Sequence, residues 1–300
     1  MTGTRATAGL PLFTDTAEAA ASEVIRAYST SFGLATRLLG RRHRQHVRNI
    51  YAMVRIADEL VDGVTEEAGL DAAAQLAALC EYEQAVGRAI RLGCSGDMVL
   101  HAFARTARDC GIDEDLTAPF FDSMRMDLRP AGATTVRGHD DRSHEQYVHG
   151  SAEVVGLMCL RVFLCHQSRS DGQLSVLEHG ARALGAAFQD VNFLRDLADD
   201  TERLHRSYLR EKGRLTDADR DARLLRIRAR LAEARVAVPL LPRDARVAVR
   251  SALGLFAALA DRISATPVST LYSTRVRVPD ARKAAIVAGA VLRTVAEPGR

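Results

Sequence analysis

Residues 184–200 read LGAAFQDVNFLRDLADD, and their spacing decides the fold. Side chains three or four apart share one face of an α-helix. Gln189, Asn192, Asp196 and Asp200 step along one face, and Leu184, Ala187, Val191 and Leu194 form the opposite one. Residues 51–63, YAMVRIADELVDG, repeat the device: Tyr51, Arg55, Asp58 and Asp62 line up beside an apolar stripe of Ile50, Val54, Ala57 and Val61. Carboxylates one turn apart repel slightly in water and far more when desolvated. Something cationic should neutralise each pair, either arginine or a metal. Mg²⁺ suits the donors, because it takes carboxylate oxygens and completes its shell with waters and substrate phosphates. Spacing alone leaves two readings open: a network of Asp–Arg pairs between helices, or a clamp holding Mg²⁺ ions and a diphosphate.

The rest of the chain reads the same way. It has 300 residues, 47% of them hydrophobic, with 8 prolines. Strong helix formers dominate, and no run of alternating β-branched residues appears, so an all-α protein is expected. Helical periodicity places helices near 16–38, 43–62, 69–91, 96–110, 115–126, 143–166, 172–199, 216–235, 242–263 and 279–294. Residues 1–15 read as a flexible lead-in, with Asp15 or Thr16 as the first N-cap. Residues 16–295 are expected to form one helical domain around an interior cavity.

Net charge is +3, and all but two of the 41 lysines and arginines (Lys212 and Lys283) are arginine. That is either compositional bias or a supply of bidentate phosphate ligands. No concentrated basic stripe with a reading motif is evident, so no nucleic-acid partner is expected. Five cysteines without a CxxC read as reduced thiols of a cytoplasmic protein. The N-terminus carries no apolar signal core. EVVGLMCLRVFLC (153–165) is too short and too interrupted by Glu153 and Arg161 to span a bilayer. Peripheral membrane association needs no anchor and stays compatible.

Four segments together resemble the squalene/phytoene synthase family, whose members join two prenyl diphosphates head to head. YSTSFGLATRLL (28–39) is similar to its opening Ser-x-Ser-Phe segment, and YAMVRIADELVDG to its first aspartate-rich motif. YVHGSAEVVGLM (147–158) is similar to its Tyr-rich helix and small-residue stretch, in wording most like bacterial phytoene synthases. LGAAFQDVNFLRDLADD resembles its second motif, and RVRVP (275–279) is a weaker fifth match.

The resemblance implies an all-α isoprenoid-synthase helical bundle around a central cavity. It implies Mg²⁺ held by Asp58 and Asp62 on one wall and by Asn192, Asp196 and Asp200 on the other. It implies prenyl diphosphate contacts from Ser29, Ser31, Arg55, Gln189, Arg195, Tyr208 and Arg275, with Phe32 and Tyr147 near the reacting carbons. The implied reaction turns geranylgeranyl diphosphate into phytoene through a cyclopropyl diphosphate. No GxGxxG is present, so a reductive, squalene-forming step is not indicated.

Some positions depart from the family pattern: Thr30 between the serines, His149, Asp190, His205 and Arg210. The last four motivate a second reading, transfer of the prenyl group to an aromatic small-molecule acceptor. A terpene cyclase would carry N-D-x-x-S-x-x-x-E in place of this second aspartate pair. Gly156 is expected to let a ligand approach its helix, with tight helix packing as the alternative.

Overall fold

A computed structural model describes residues 8–29, 31–128, 137–138, 140–198, 206–207, 209 and 214–297; the side chains of residues 31, 32, 137, 138, 141, 206 and 207 are outside that description. The helices are α1 Gly9–Tyr28, α2 Ser31–Arg37, α3 Arg41–Val61, α4 Val64–Glu67, α5 Ala72–Leu92, α6 Met98–Cys110, α7 Glu114–Asp127, α8 Asp141–Val148, α9 Val154–Leu164, α10 Asp171–Arg195, α11 Asp217–Ala237, α12 Arg243–Ser264, α13 Val268–Leu271 and α14 Asp280–Val295. A π-helical turn, His149–Glu153, joins α8 to α9. Among the described residues the only β structure is a two-residue parallel pair, Arg137–Gly138 with Arg206–Ser207. The all-α expectation therefore holds.

Buried apolar side chains fall into two clusters. One draws on α1, α3, α5, α6, α7 and α9. The other draws on α8, most of α10, α11 and α12. The first acidic motif rides on the first cluster and the second motif on the other, so burial of each apolar stripe turns the two acidic faces toward the space between.

The chain begins its helices earlier than capping signals indicate. α1 starts at Gly9, and Thr16 lies inside it, its hydroxyl donating back to Leu12 O at 2.8 Å. Tertiary contacts carry this extra turn: Phe13 meets the His101 ring edge-on at 4.8 Å, and Thr14 Oγ1 lies 3.0 Å from His101 Nε2. The segment expected as one helix over 143–166 runs from Asp141 to Leu164 with the π turn inside it. Residues Arg142–Leu164 are long and apolar enough to cross a membrane, but 56% of that window is buried within the bundle. It is the central helix of the core.

Three histidines sit where burial disfavours their charged form: His43, His46 and His101, each pushed below the ordinary 6.5 with burial as the first cause. As pH falls, the unfolded chain takes up these protons first, so the folded state loses stability below about 6.5 and keeps it above. Asp244, held low by its hydrogen bond to Arg42, changes charge near and below 3.8, outside that window. The urea midpoint should fall between roughly pH 7.5 and 5.5, and His46→Gln should shrink that fall.

Candidate active site

Both acidic motifs end their helices. Asp62 is the C-cap of α3, its N–H still bonded to Asp58 O, and Gly63 follows with φ +108°, a conformation that glycine reaches without strain. Asp196 is the C-cap of α10, its N–H bonded to Asn192 O at 2.8 Å. The helix expected over 172–199 thus stops at Arg195. A helix C-terminus carries partial negative charge, so these carboxylates add to a potential that attracts cations.

Between the two walls lies a cavity of about 560 Å³, within the range of small-molecule sites. One end is polar: Ser29, Arg55, Asp58, Asp62, Gln189, Asn192, Arg195, Asp196 and Arg275 all line it. The other is apolar, closed by Leu39, Val47, Phe163, Leu177, Val238 and Leu241. From Asn192 to Leu177 the lining follows α10 for fifteen residues, roughly 22 Å at 1.5 Å per residue. The shape is that of a polar mouth on a long greasy tunnel.

At the mouth the aspartates are paired with arginine. Arg55 Nη1 donates to Asp58 Oδ2 at 3.0 Å, and its other arm reaches Glu59. Arg195 clasps Asp196 with both arms, and Arg275 Nε lies 2.8 Å from Asp196 Oδ1. Arg55 also lies over the Tyr28 ring, 4.7 Å from its centroid. The Asp–Arg pairs here lie within each wall, apart from Arg275, and do not form the network between helices that spacing left open.

Three atoms of the lining are buried without a hydrogen-bond partner: Arg55 Nε, Ser151 Oγ and Asn192 Oδ1. Such orphans are rare and costly. All three belong to residues that line this cavity, which suits a polar ligand there. Asn192 Oδ1 is an acceptor, so its missing partner is a cation or a donor.

Part of the cavity lining is aromatic. Tyr147 is buried, its hydroxyl donates to Asp127 Oδ2 at 2.7 Å, and its ring lies 5.9 Å from that of Phe193. Phe188 and Phe256 stack at 3.6 Å and both face the cavity. The π turn helps present this wall. It lets Tyr147, Ser151, Ala152, Val155, Gly156 and Cys159 all line the cavity, and such turns recur at functional sites.

Most residues implied by the resemblance meet here. Ser29 lines the cavity, and its hydroxyl accepts from Gly33 N at 3.3 Å. Asp200 and Tyr208, and the side chains of Ser31 and Phe32, lie outside the described residues. Tyr28, Phe188 and Phe256 are among the lining residues that the sequence did not mark as site residues. Phe256 hides in an ordinary apolar stripe.

Three readings change. Gly156 borders the cavity, but a Cβ there would meet Ala181 O at 2.5 Å, so close approach of α9 and α10 explains the glycine. His149 is exposed and pairs with Glu153 at 3.0 Å. Asp190 points into the core, accepting from Arg230 Nη1 at 2.6 Å and lying 3.0 Å from His144 Nε2. Neither His149 nor Asp190 lines the cavity; His205 and Arg210 are outside the described residues. Asp190→Ala would remove the carboxylate that pairs with the half-buried Arg230 and the buried His144 ring, and should cost about 3 kcal/mol in urea denaturation. A loss under about 1 kcal/mol would show the network to be idle.

Fold and site define the class, an all-α isoprenoid-synthase bundle with an acid-lined cavity mouth. Among solved structures, a dehydrosqualene synthase in complex with a ligand superposes with TM-score 0.73 at 22% identity, covering 95% of this chain and 98% of its own. A squalene synthase from Alicyclobacillus acidocaldarius superposes with TM-score 0.68 at 20% identity, covering 88% and 98%. The squalene/phytoene synthase family model matches residues 25–212. The chain belongs to the squalene/phytoene synthase family. Relatives include phytoene synthase 3, chloroplastic, of Zea mays, 30% identical over 92% of this chain, and a phytoene synthase of Mycobacterium bovis, 26% identical over 91% of this chain and 89% of its own length. The chain spans 66% of the length of the maize protein.

Proposed function

We propose that the chain is a Mg²⁺-dependent prenyltransferase that condenses two geranylgeranyl diphosphates head to head to phytoene. The observation that carries this is the cavity itself: two acidic motifs and three arginines at the mouth of a long apolar tunnel. Its family membership and the names of its relatives agree.

The donor set fits Mg²⁺. It is all oxygen, it stands at two helix C-termini, and Asn192 Oδ1 is buried without a partner. Among the described residues no three Asp, Glu, His or Cys side chains converge on one point. One motif with substrate oxygens is therefore the natural shell, Asp58 and Asp62 on one wall, Asn192 and Asp196 on the other, with Asp200 beyond the described residues. Mg²⁺ bound there would draw negative charge from the leaving diphosphate.

The protein's own groups do the rest. Arg55, Arg195 and Arg275 exchange their aspartate partners for diphosphate oxygens and hold the leaving group after the C–O bond breaks. The apolar tunnel keeps water from the allylic cation. The faces of Phe188, Phe193, Tyr147 and Phe256 offer that cation their negative quadrupoles. The second substrate's alkene attacks, and loss of a proton closes a cyclopropane. The second diphosphate then leaves, the skeleton rearranges, and loss of another proton gives phytoene. Two substrates yield one hydrocarbon, two diphosphates and two protons, with no reductant consumed.

Aromatic prenylation keeps the first half of this scheme. The burial of Asp190 and the exposure of His149 remove two of the substitutions that favoured it. Geranylgeranyl diphosphate as sole substrate is the test. A C40 hydrocarbon with Mg²⁺, and none after chelation, supports the proposal; turnover that survives chelation contradicts the metal assignment.

A further inference from the structure

Between Glu23 and Asp58 the chain carries seven arginines and no acidic residue. Three of the seven are paired: Arg26 with Glu23, Arg42 with Asp244, and Arg55 with Asp58 and Glu59. Arg37, Arg44 and Arg48 have no carboxylate partner among the described residues, and they gather at one corner. Arg44 and Arg48 stand one turn apart on α3. Arg48 Nη1 reaches Ser22 Oγ on α1 at 3.3 Å. Arg44 Nη2 reaches Leu39 O in the α2–α3 link at 2.9 Å, two residues from Arg37. Arg44 Nε is buried with no partner.

Like charges set this close, partly desolvated, are unfavourable without a counter-charge. Burial first, and then the charges of Arg44 and Arg37, lower the pKa of the Arg48 guanidinium. Guanidinium forks match phosphate oxygens two at a time. None of the three arginines lines the central cavity. Arg48 is seven residues from Arg55 along α3, about 10 Å, so the corner is distinct from the cavity mouth.

We propose that Arg37, Arg44 and Arg48 form a second anion site that binds a phosphate-bearing ligand, either free phosphate or the headgroup of an anionic lipid. Its occupancy would remove the repulsion among the three guanidiniums and tie α1, α2 and α3 together. The proposal does not depend on the reaction assigned to the cavity.

Isothermal titration of the full chain with inorganic phosphate tests it, comparing wild type with Arg44→Gln/Arg48→Gln and with Arg275→Gln at the cavity mouth. Wild type and Arg275→Gln should share a binding event that is at least tenfold weaker in the double variant. Co-sedimentation with phosphatidylglycerol vesicles, against phosphatidylcholine vesicles, separates the sources. Sedimentation lost in the double variant assigns a lipid headgroup; titration without sedimentation assigns free phosphate. Far-UV circular dichroism checks the fold, and if the double variant unfolds, Arg48→Gln alone carries the same comparison. Consumption of prenyl diphosphate by the Arg44→Gln/Arg48→Gln variant is read separately and should be unchanged. A wild type that binds neither phosphate nor vesicles, or a variant that binds both as wild type does, overturns the site.

Discussion

Asp58→Asn and Asp196→Asn should each lower the consumption of prenyl diphosphate by roughly a thousandfold, about 4 kcal/mol of transition-state stabilisation, with the thermal midpoint nearly unchanged. Both side chains line the cavity mouth and neither belongs to the buried core. Each substitution replaces a carboxylate by an isosteric amide, which removes the anionic ligand that Mg²⁺ requires. It also removes the anion that holds an arginine in place. Asp58 anchors Arg55, and Asp196 anchors Arg195 and Arg275. On the proposed assignment, loss of charge at Asp196 would act twice, on the cation shell and on the two arginines that would hold diphosphate. Steady-state kinetics with thermal denaturation separates the roles. A variant with near-wild-type turnover would remove its aspartate from the machinery.

Gly150→Ala should destabilise the fold by about 3 kcal/mol or leave it unfolded. Helix propensity alone points the other way, favouring alanine by about 1 kcal/mol. Packing decides the sign. An added Cβ would lie 2.0 Å from Pro119 O and 2.1 Å from Ser123 Oγ. The first is backbone of α7, and Ser123 Oγ already donates to Tyr147 O at 3.1 Å. Neither can retreat without moving Tyr147, so overpacking costs at the upper end of its usual range. Gly185→Ala meets Ala152 O at 2.3 Å and should behave alike. Urea denaturation of both variants gives the answer, and a loss below about 1 kcal/mol would show that α7, the π turn and α10 can spread.

These two predictions mark where the sequence was legible and where it was not. Asp58 and Asp196 declare themselves by spacing, because period 3.6 sets acids in line whatever the tertiary fold. The stripes opposite them, Ile50, Ala57 and Val61 on α3 and Ala187, Val191 and Leu194 on α10, are buried as that pattern requires. Gly150, Gly156 and Gly185 could not be assigned the same way. A glycine reads identically whether a ligand or another backbone takes the place of its side chain, and only the position of the neighbouring helix distinguishes them.

Asp190 misled for a related reason. Beside Gln189 it looked like an altered cavity residue, yet one step along a helix turns a side chain by about 100°. That step carries Asp190 into the core, where His144 and Arg230 satisfy it. Its partners lie 46 and 40 residues away in sequence, beyond any local pattern. Phe188 and Phe256 stayed hidden because the stacking of two rings distant in sequence decides their direction. The helix end at Asp62 matches the bound expected from periodicity, whereas the end at Asp196 falls short of the expected 199; both matter chemically, since a C-cap carboxylate adds to the helix dipole a cation would feel.

The central claim is that two geranylgeranyl diphosphates are joined by the protein and Mg²⁺ alone. The most direct test is mass balance in one vessel: purified chain, geranylgeranyl diphosphate and Mg²⁺, with no reductant and no acceptor, followed by mass spectrometry of the extract and a diphosphate assay. The account predicts one C40 hydrocarbon for every two diphosphates released. Absence of any C40 hydrocarbon, while an added aromatic compound is alkylated with one diphosphate released per transfer, would contradict it.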